Sequence, residues 1–291
     1  MADSEPVAFV GTENNRLAAD VFGHGSGPVA VLMHGGGQTR HSWGGTAERL
    51  ARSGWRAITV DQRGHGDSDR SGPGNYSFRD FADDAAAVYA QVEARYGMRP
   101  VVIGASMGGL SSLLVAGERD DPPMAALVLV DVTPRMNPNG VAGILDFMGA
   151  RMEAGFGSLE EAADAVAEYL PHRPRPRSLD GLRKNLRLGD DGRYRWHWDP
   201  RFIDGPKPIS SGRDPSVNPF VEAARQVAIP TLLVRGRMSE LVEEEHVREF
   251  LELVPHAAFA DVSGAGHMVA GDKNDVFADA VLGFLSRLEA A

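Results

Sequence analysis

Short runs of aliphatic and β-branched residues alternate with longer stretches whose apolar positions recur every three or four residues, and this rhythm organises the first third of the chain. Val7–Val10 and Leu17–Phe22 read as two strands joined by a polar turn over Gly11–Asn15. Val29–His34 is continuously apolar up to its last residue, as expected of a strand covered on both faces. Trp43, Ala47 and Leu50 share one face of a helix predicted over Ser42–Ser53. A strand over Arg56–Val60 follows, then a long helix over Phe78–Tyr96 that carries Phe81, Ala85, Val88 and Val92 on one side. A strand at Val101–Gly104, a helix at Met107–Gly117 and a strand at Ala125–Asp131 continue the series. Such β-α-β units with short connections imply a parallel sheet carrying helices on both faces.

The rhythm stops after Pro134 and resumes at Pro230–Arg235, followed by a helix at Glu244–Val254, a strand at Ala257–Val262 and a helix at Val276–Leu288. The spacing predicts two helices inside the interruption, Gly143–Ala154 and Leu159–Tyr169. Residues 135–217 therefore read as a cap inserted into a core made of residues 1–134 and 218–291. The cap is expected over the C-terminal edge of the sheet, where open α/β sheets bind ligands.

The chemistry is concentrated at Gly104-Ala-Ser106-Met-Gly108, which follows the Val101 strand without a spacer. Gly-x-Ser-x-Gly at a strand-to-helix junction is the pattern of a nucleophile elbow. The glycines let strand and helix pass closely, and the serine is held at the apex in a strained conformation beside the free N–H groups of the helix. A serine nucleophile needs a base, an acid to orient that base, and donors for the oxyanion. His267, in a glycine-containing loop after the Ala257–Val262 strand, is the candidate base. Glu240, in the loop after the Pro230–Arg235 strand, is the first choice for the acid, with Asp131, at the end of its own strand, as the alternative. The donors are expected to be the backbone amides of Met107 and of Gly36 in Met33-His34-Gly35-Gly36-Gly37, with Gly37 as the second choice in that loop. Asp61-Gln-Arg-Gly-His-Gly-Asp-Ser68 is rich in charge, but it reads as a tight loop whose side chains satisfy backbone groups.

Composition narrows the possibilities. With 291 residues, 43% of them hydrophobic, the chain can bury a large core. A formal net charge of −10 argues against nucleic acid as a partner. The absence of cysteine removes disulfides, thiolate nucleophiles and cysteine-bound metal. No metal or cofactor is expected, no apolar run reaches membrane-spanning length, and the acidic start Met-Ala-Asp-Ser-Glu-Pro is unlike a secretory signal. The expectation is a cytoplasmic protein acting on a small molecule, with homo-oligomer formation left open.

Taken together, the five motifs resemble those of the α/β-hydrolase fold superfamily over nearly the whole chain. His34-Gly-Gly-Gly37 is similar to the family's oxyanion loop and Asp61–Ser68 to its structural loop; Gly104–Gly109 matches the elbow, Arg235–Glu240 the acid loop and Gly264–His267 the histidine loop. The resemblance implies a mostly parallel eight-stranded sheet flanked by helices, with a mainly helical cap after the sixth strand. It implies a hydrolase without a cofactor, resembling esterases, lactonases, C–C hydrolases or cofactor-free haloperoxidases. Family members that open epoxides or remove halogens carry aspartate at the elbow, so Ser106 points away from both. Glutamate at position 240 departs from the aspartate that the family uses more often.

Trp43, Phe147, Met148, Trp196, Trp198 and Phe202 are candidates to line the substrate pocket. Between Pro171 and Arg201 the chain carries nine Arg or Lys against four Asp, a local reversal of its overall charge that reads as a solvated cap surface. The expected activity is hydrolysis of a carboxylic ester or lactone of a small to medium apolar substrate. C–C bond hydrolysis, perhydrolase chemistry and, outside catalysis, a ligand receptor are the alternatives.

Overall fold

The computed structural model describes residues 4–170, 178–212, 217–267, 269 and 274–289. Its centre is a single eight-stranded sheet in the order β1-β2-β4-β3-β5-β6-β9-β10. Strands β1 (Ser4–Val10) and β2 (Arg16–Phe22) form an antiparallel hairpin at one edge, and β2 pairs antiparallel with β4 (Arg56–Val60). From there β3 (Val29–Met33), β5 (Val101–Ala105), β6 (Ala126–Val130), β9 (Thr231–Gly236) and β10 (Ala258–Val262) run parallel.

The period-2 alternation of strand side chains divides the core into two layers. Val29, Val31 and Met33 of β3 join Val102, Leu127 and Leu129 on one face. There they pack against α2 (Phe78–Tyr96), α3 (Met107–Glu118), α7 (Pro219–Gln226) and α8 (Glu244–Leu253). Ala30 and Leu32, with Ile103, Val128 and Val130, face the other way and meet α1 (Gly44–Arg52) and α9 (Asn274–Glu289). Both faces of the central strands are therefore dry, which explains their unbroken apolar sequences. No helix among the described residues is long and apolar enough to cross a membrane.

Between β6 and β9 the chain builds α4 (Pro138–Gly149), α5 (Leu159–Tyr169), a short α6 (Asp180–Arg183) and an antiparallel hairpin of β7 (Leu186–Leu188) with β8 (Tyr194–Trp196), closed by a 3-10 turn over Pro200–Phe202. The first helix lies about a turn and a half earlier than its spacing predicts. Asn137 accepts from the amides of Asn139 and Gly140, and Pro138 occupies the first turn, so the helix starts there. The end of the predicted span, residues 150–154, is not helical: the chain turns at Ala150, and Arg151 has a φ of 61°. The arginine- and proline-rich 172–177 stretch lies outside the described residues.

This segment has a small core of its own around Phe156, Leu159, Ala162 and Leu186. A second cluster joins its Met148, Trp198, Phe202 and Ile209 to Tyr76, Phe81 and Met107 below. Polar ties fix the same contact: Asp199 N–H donates to Gly64 O at 2.8 Å, and the Tyr76 hydroxyl donates to Asp199 Oδ2 at 2.7 Å.

Candidate functional site

Ser106 sits between the end of β5 and the first turn of α3, with φ 46° and ψ −116°, a left-handed conformation that non-glycine residues seldom adopt. The fold maintains that strain through close packing that only glycine permits. A Cβ on Gly104 would lie 2.6 Å from Gly109 Cα, and one on Gly108 would lie 2.6 Å from Met33 O and 2.7 Å from His34 O. The second contact seats α3 directly against the loop that leaves β3. Gly35 of that loop comes within 3.3 Å of Ser106 Cβ when a Cβ is built on it.

His267 donates from Nδ1 to Asp131 Oδ2 at 2.8 Å. The acceptor role of the carboxylate fixes the imidazole tautomer and leaves Nε2 as the basic nitrogen. Asp131 is fully buried, immediately beyond β6, at φ 49°. Its Oδ1 accepts from the Gly236 amide at 2.9 Å, and its Oδ2 also accepts from the Ser239 hydroxyl at 2.5 Å. Three donors thus hold one carboxylate.

The expectation that Glu240 would be the partner of His267 is corrected by this arrangement. β6 and β9 are adjacent, with Val130 paired to Val234, so the residue after β6 reaches across to the end of β9 and to the histidine loop. Glu240 lies further along, past the turn in which Ser239 Oγ accepts from the amides of Leu241 and Val242. Its side chain is exposed; burial, with the Glu240 charge as a lesser cause, pushes the Tyr169 hydroxyl up to about 12. The residue of that loop whose side chain touches the buried carboxylate is Ser239, which no pattern in the sequence singles out.

Ser106 and His267 open onto one cavity of about 680 Å³, beneath α4, α5 and the β7–β8 hairpin. Trp43, Phe147, Met148, Trp196, Trp198 and Phe202, the residues expected at a pocket, line it, as do Gly36 and Met107. Glu240 reaches its lining as well. Lys184 is the one Lys or Arg on that lining among the described residues.

The glycine loop is gripped from below by two fully buried histidines. His34 contacts Gly35 O through Nδ1 at 2.8 Å, and its Nε2 accepts from the Gln62 amide at 3.1 Å. His65 contacts Arg63 O through Nδ1 at 3.0 Å, and its Nε2 accepts from the Gly37 amide at 3.2 Å. Carbonyls only accept and amides only donate, so both rings are neutral, with the proton on Nδ1. Burial pushes His34 down to about 4 and, with His34 as neighbour, His65 down to about 3. The rest of the Asp61–Ser68 loop is equally structural. Arg63 forms a fork on Asp84, at 2.7 Å to each oxygen, and Asp61 accepts from the Arg40 amide at 2.6 Å.

Comparison with other proteins agrees with this architecture. The chain is 29% identical over 276 residues to the sn-1-specific diacylglycerol lipase ABHD11 of Mus musculus, a match covering 89% of this chain and 81% of the lipase. It is also 29% identical over 266 residues to esterase Rv0045c of Mycobacterium tuberculosis, covering 90% and 84% respectively. The crystal structure of E-2-(acetamidomethylene)succinate hydrolase superposes with a TM-score of 0.79 at 26% identity, covering 98% of this chain and all of that one. A family model for the alpha/beta hydrolase fold matches residues 28–273, and with the sheet order described above this establishes that the chain belongs to the α/β-hydrolase family.

Proposed function

We propose that this α/β-hydrolase cleaves carboxylic esters of medium-sized apolar acids through an acyl-enzyme on Ser106. The observation that carries the reading is the 2.8 Å contact of His267 Nδ1 with buried Asp131, on a histidine that lines the same cavity as the strained serine. His267 Nε2 takes the Ser106 hydroxyl proton as Oγ bonds to the acyl carbon, and the carbonyl oxygen becomes an oxyanion. The amides of Met107 and Gly36 stabilise that charge. Collapse of the intermediate breaks the ester C–O bond, and the alkoxide leaves as alcohol with the proton from His267. Water then gives a proton to His267 and attacks the acyl carbon, and Ser106 is released with that proton restored.

Gly36 rather than Gly37 is the donor in this scheme, because Gly37 already spends its amide on His65. The cavity is of the size that takes a drug-sized ligand, and its walls are mainly apolar side chains, which favours an acyl chain over a polar acid. The lipase and esterase among the relatives support ester chemistry. Lys184 on the cavity lining favours a second reading, in which the acyl group ends in a carboxylate.

Hydrolysis of p-nitrophenyl esters from acetate to decanoate, each compared with its ω-carboxy counterpart, tests both readings. The expected result is an optimum at intermediate chain length and stoichiometric labelling by a fluorophosphonate that Ser106→Ala abolishes. A preference for the ω-carboxy esters that Lys184→Met removes would establish the second reading. No turnover on any ester together with no labelling would overturn ester hydrolysis.

A further inference from the structure

We propose that His65 is a positioning residue for the oxyanion donor, holding the Gly37 amide away from the cavity so that the Gly36 amide faces the reacting carbonyl. The inference rests on the serine-hydrolase reading above and deepens it.

Three consecutive glycine amides leave β3, and two of them are occupied. Gly35 N–H donates to Gln38 Oε1 at 3.2 Å, and Gly37 N–H donates to His65 Nε2 at 3.2 Å. Gly36 N–H has no protein partner among the described residues. A run of three glycines has no side chains to fix its peptide planes, and Gly37 has a φ of 76° that tolerates large rotation. The loop therefore presents one chosen amide only if its neighbours are anchored from outside. His34 Nδ1 and the Gln38 amide both reach Gly35 O, which belongs to the same trans peptide unit as Gly36 N–H. Carbonyl and N–H point in opposite directions across a planar peptide, so gripping the carbonyl turns the Gly36 N–H the other way. His65 does the corresponding task on the next peptide.

His65 is itself immobilised. Its Nδ1–H is tied to Arg63 O, its ring lies 5.2 Å from that of His34, and Phe202 of the cap meets it edge-on at 5.0 Å and 80°. Phe202 Cζ also lies 3.4 Å from the position of a Cβ on Gly36. The imidazole is thus clamped between the structural loop and the cap, with one lone pair aimed at the glycine loop. Without that acceptor the Gly37 N–H would be buried unpaired, and the 36–37 peptide would rotate to find a partner.

The experiment compares His65→Gln, which sets an amide oxygen near the place of Nε2, with His65→Asn and His65→Met, which cannot accept there. In the folded variants Asn and Met should lower kcat about 10- to 100-fold with little change in KM, and Gln should restore most of it, because only transition-state charge is affected. Affinity for a trifluoromethyl ketone, whose adduct needs the same amides, should fall in parallel. Equal losses in all three variants that track melting temperature, or an unchanged kcat in His65→Asn, would overturn the proposal. Nitrogen-15 spectra of the wild-type histidines supply a readout that needs no variant: the proposal expects a neutral Nδ1–H ring at His65, and an Nε2–H or charged ring overturns it. If Ser106→Ala keeps its esterase activity, the serine reading itself fails. If Ser106→Ala is inactive while His65→Asn turns over normally, only the positioning role fails.

Discussion

Asn in place of Asp131 is expected to lower kcat on the best ester by about four orders of magnitude, whereas Glu240→Gln stays within about threefold of wild type. The difference follows from what each carboxylate touches. Asp131 Oδ2 accepts from His267 Nδ1 at 2.8 Å and from Ser239 Oγ at 2.5 Å, while Oδ1 accepts from Gly236 N–H at 2.9 Å. An amide can accept only through its oxygen. In one orientation its NH2 faces the Gly236 amide, donor against donor. In the other it faces His267 and Ser239, and the imidazole must move its proton to Nε2, where the serine needs a base. Either way the nucleophile loses its acceptor or the loop loses an anchor. Glu240 makes no such contacts among the described residues, and its neutralisation removes only a charge from the rim of the cavity. Steady-state kinetics and the rate of fluorophosphonate labelling of both variants decide the matter. A collapse in Glu240→Gln with Asp131→Asn near normal would move the acid back to position 240.

That exchange of roles shows where sequence pattern carries through to structure and where it stops. The strands of the parallel sheet were legible because burial on both faces forces unbroken apolar runs, such as Val29–Met33 and Ala126–Val130. Ser106 was legible because close packing at the elbow leaves glycine no substitute at positions 104 and 108. The carboxylate that meets His267 was not, because that contact depends on which strand ends are neighbours. Asp131 and Glu240 each follow a parallel strand, and only the pairing of β6 with β9, together with the positive φ at position 131, aims the former at His267. The region between β6 and β9 was read least well. Its turns begin with short-range signals, Asn137-Pro138 and Asp199-Pro200, and α7 begins in the same way at Asn218-Pro219; in all three the side chain caps the first backbone amides. Those signals were present in the sequence, but α7, with eight residues, and the β7–β8 hairpin, with strands of three, are too short for periodicity to single them out without such caps. The loop pattern implies that His65 supports backbone groups, and its ring does bond to Arg63 O. Its contact with Gly37, across 28 positions of sequence, leaves no local trace.

Folding free energy should fall by about 4 kcal/mol between pH 7.5 and pH 5.0, through the two histidines under the glycine loop. Burial holds His34 at about 4 and His65 at about 3, both below the value near 6.5 of an unfolded chain. Below pH 6.5 the unfolded chain therefore binds two protons that the folded protein refuses, and stability declines as pH falls. Each ring contributes about 1.4 kcal/mol per pH unit over that window, until its own folded pKa is approached. Burial also depresses His41 and His197, which adds to the same slope. Among the carboxylates, Asp67, Asp80 and Asp199 are held low chiefly by hydrogen bonds from Arg40, Lys207 and Arg201, against the opposing effect of burial. Their contribution has the same sign but begins only nearer pH 4, where the unfolded carboxylates start to protonate. The cost of charging either ring is also structural, since a proton on Nε2 would face the Gln62 or Gly37 amide, donor against donor. Urea denaturation across this pH range measures the slope, and His65→Gln, which removes one of the two groups, should flatten it below pH 6.5 by up to about 1.4 kcal/mol per pH unit, or about 2 kcal/mol over the whole range. A stability that stays level within about 1 kcal/mol from pH 7.5 to 5.0 would mean that these imidazoles accept protons in the folded state and that the acceptor geometry at Gly37 and Gln62 is wrong.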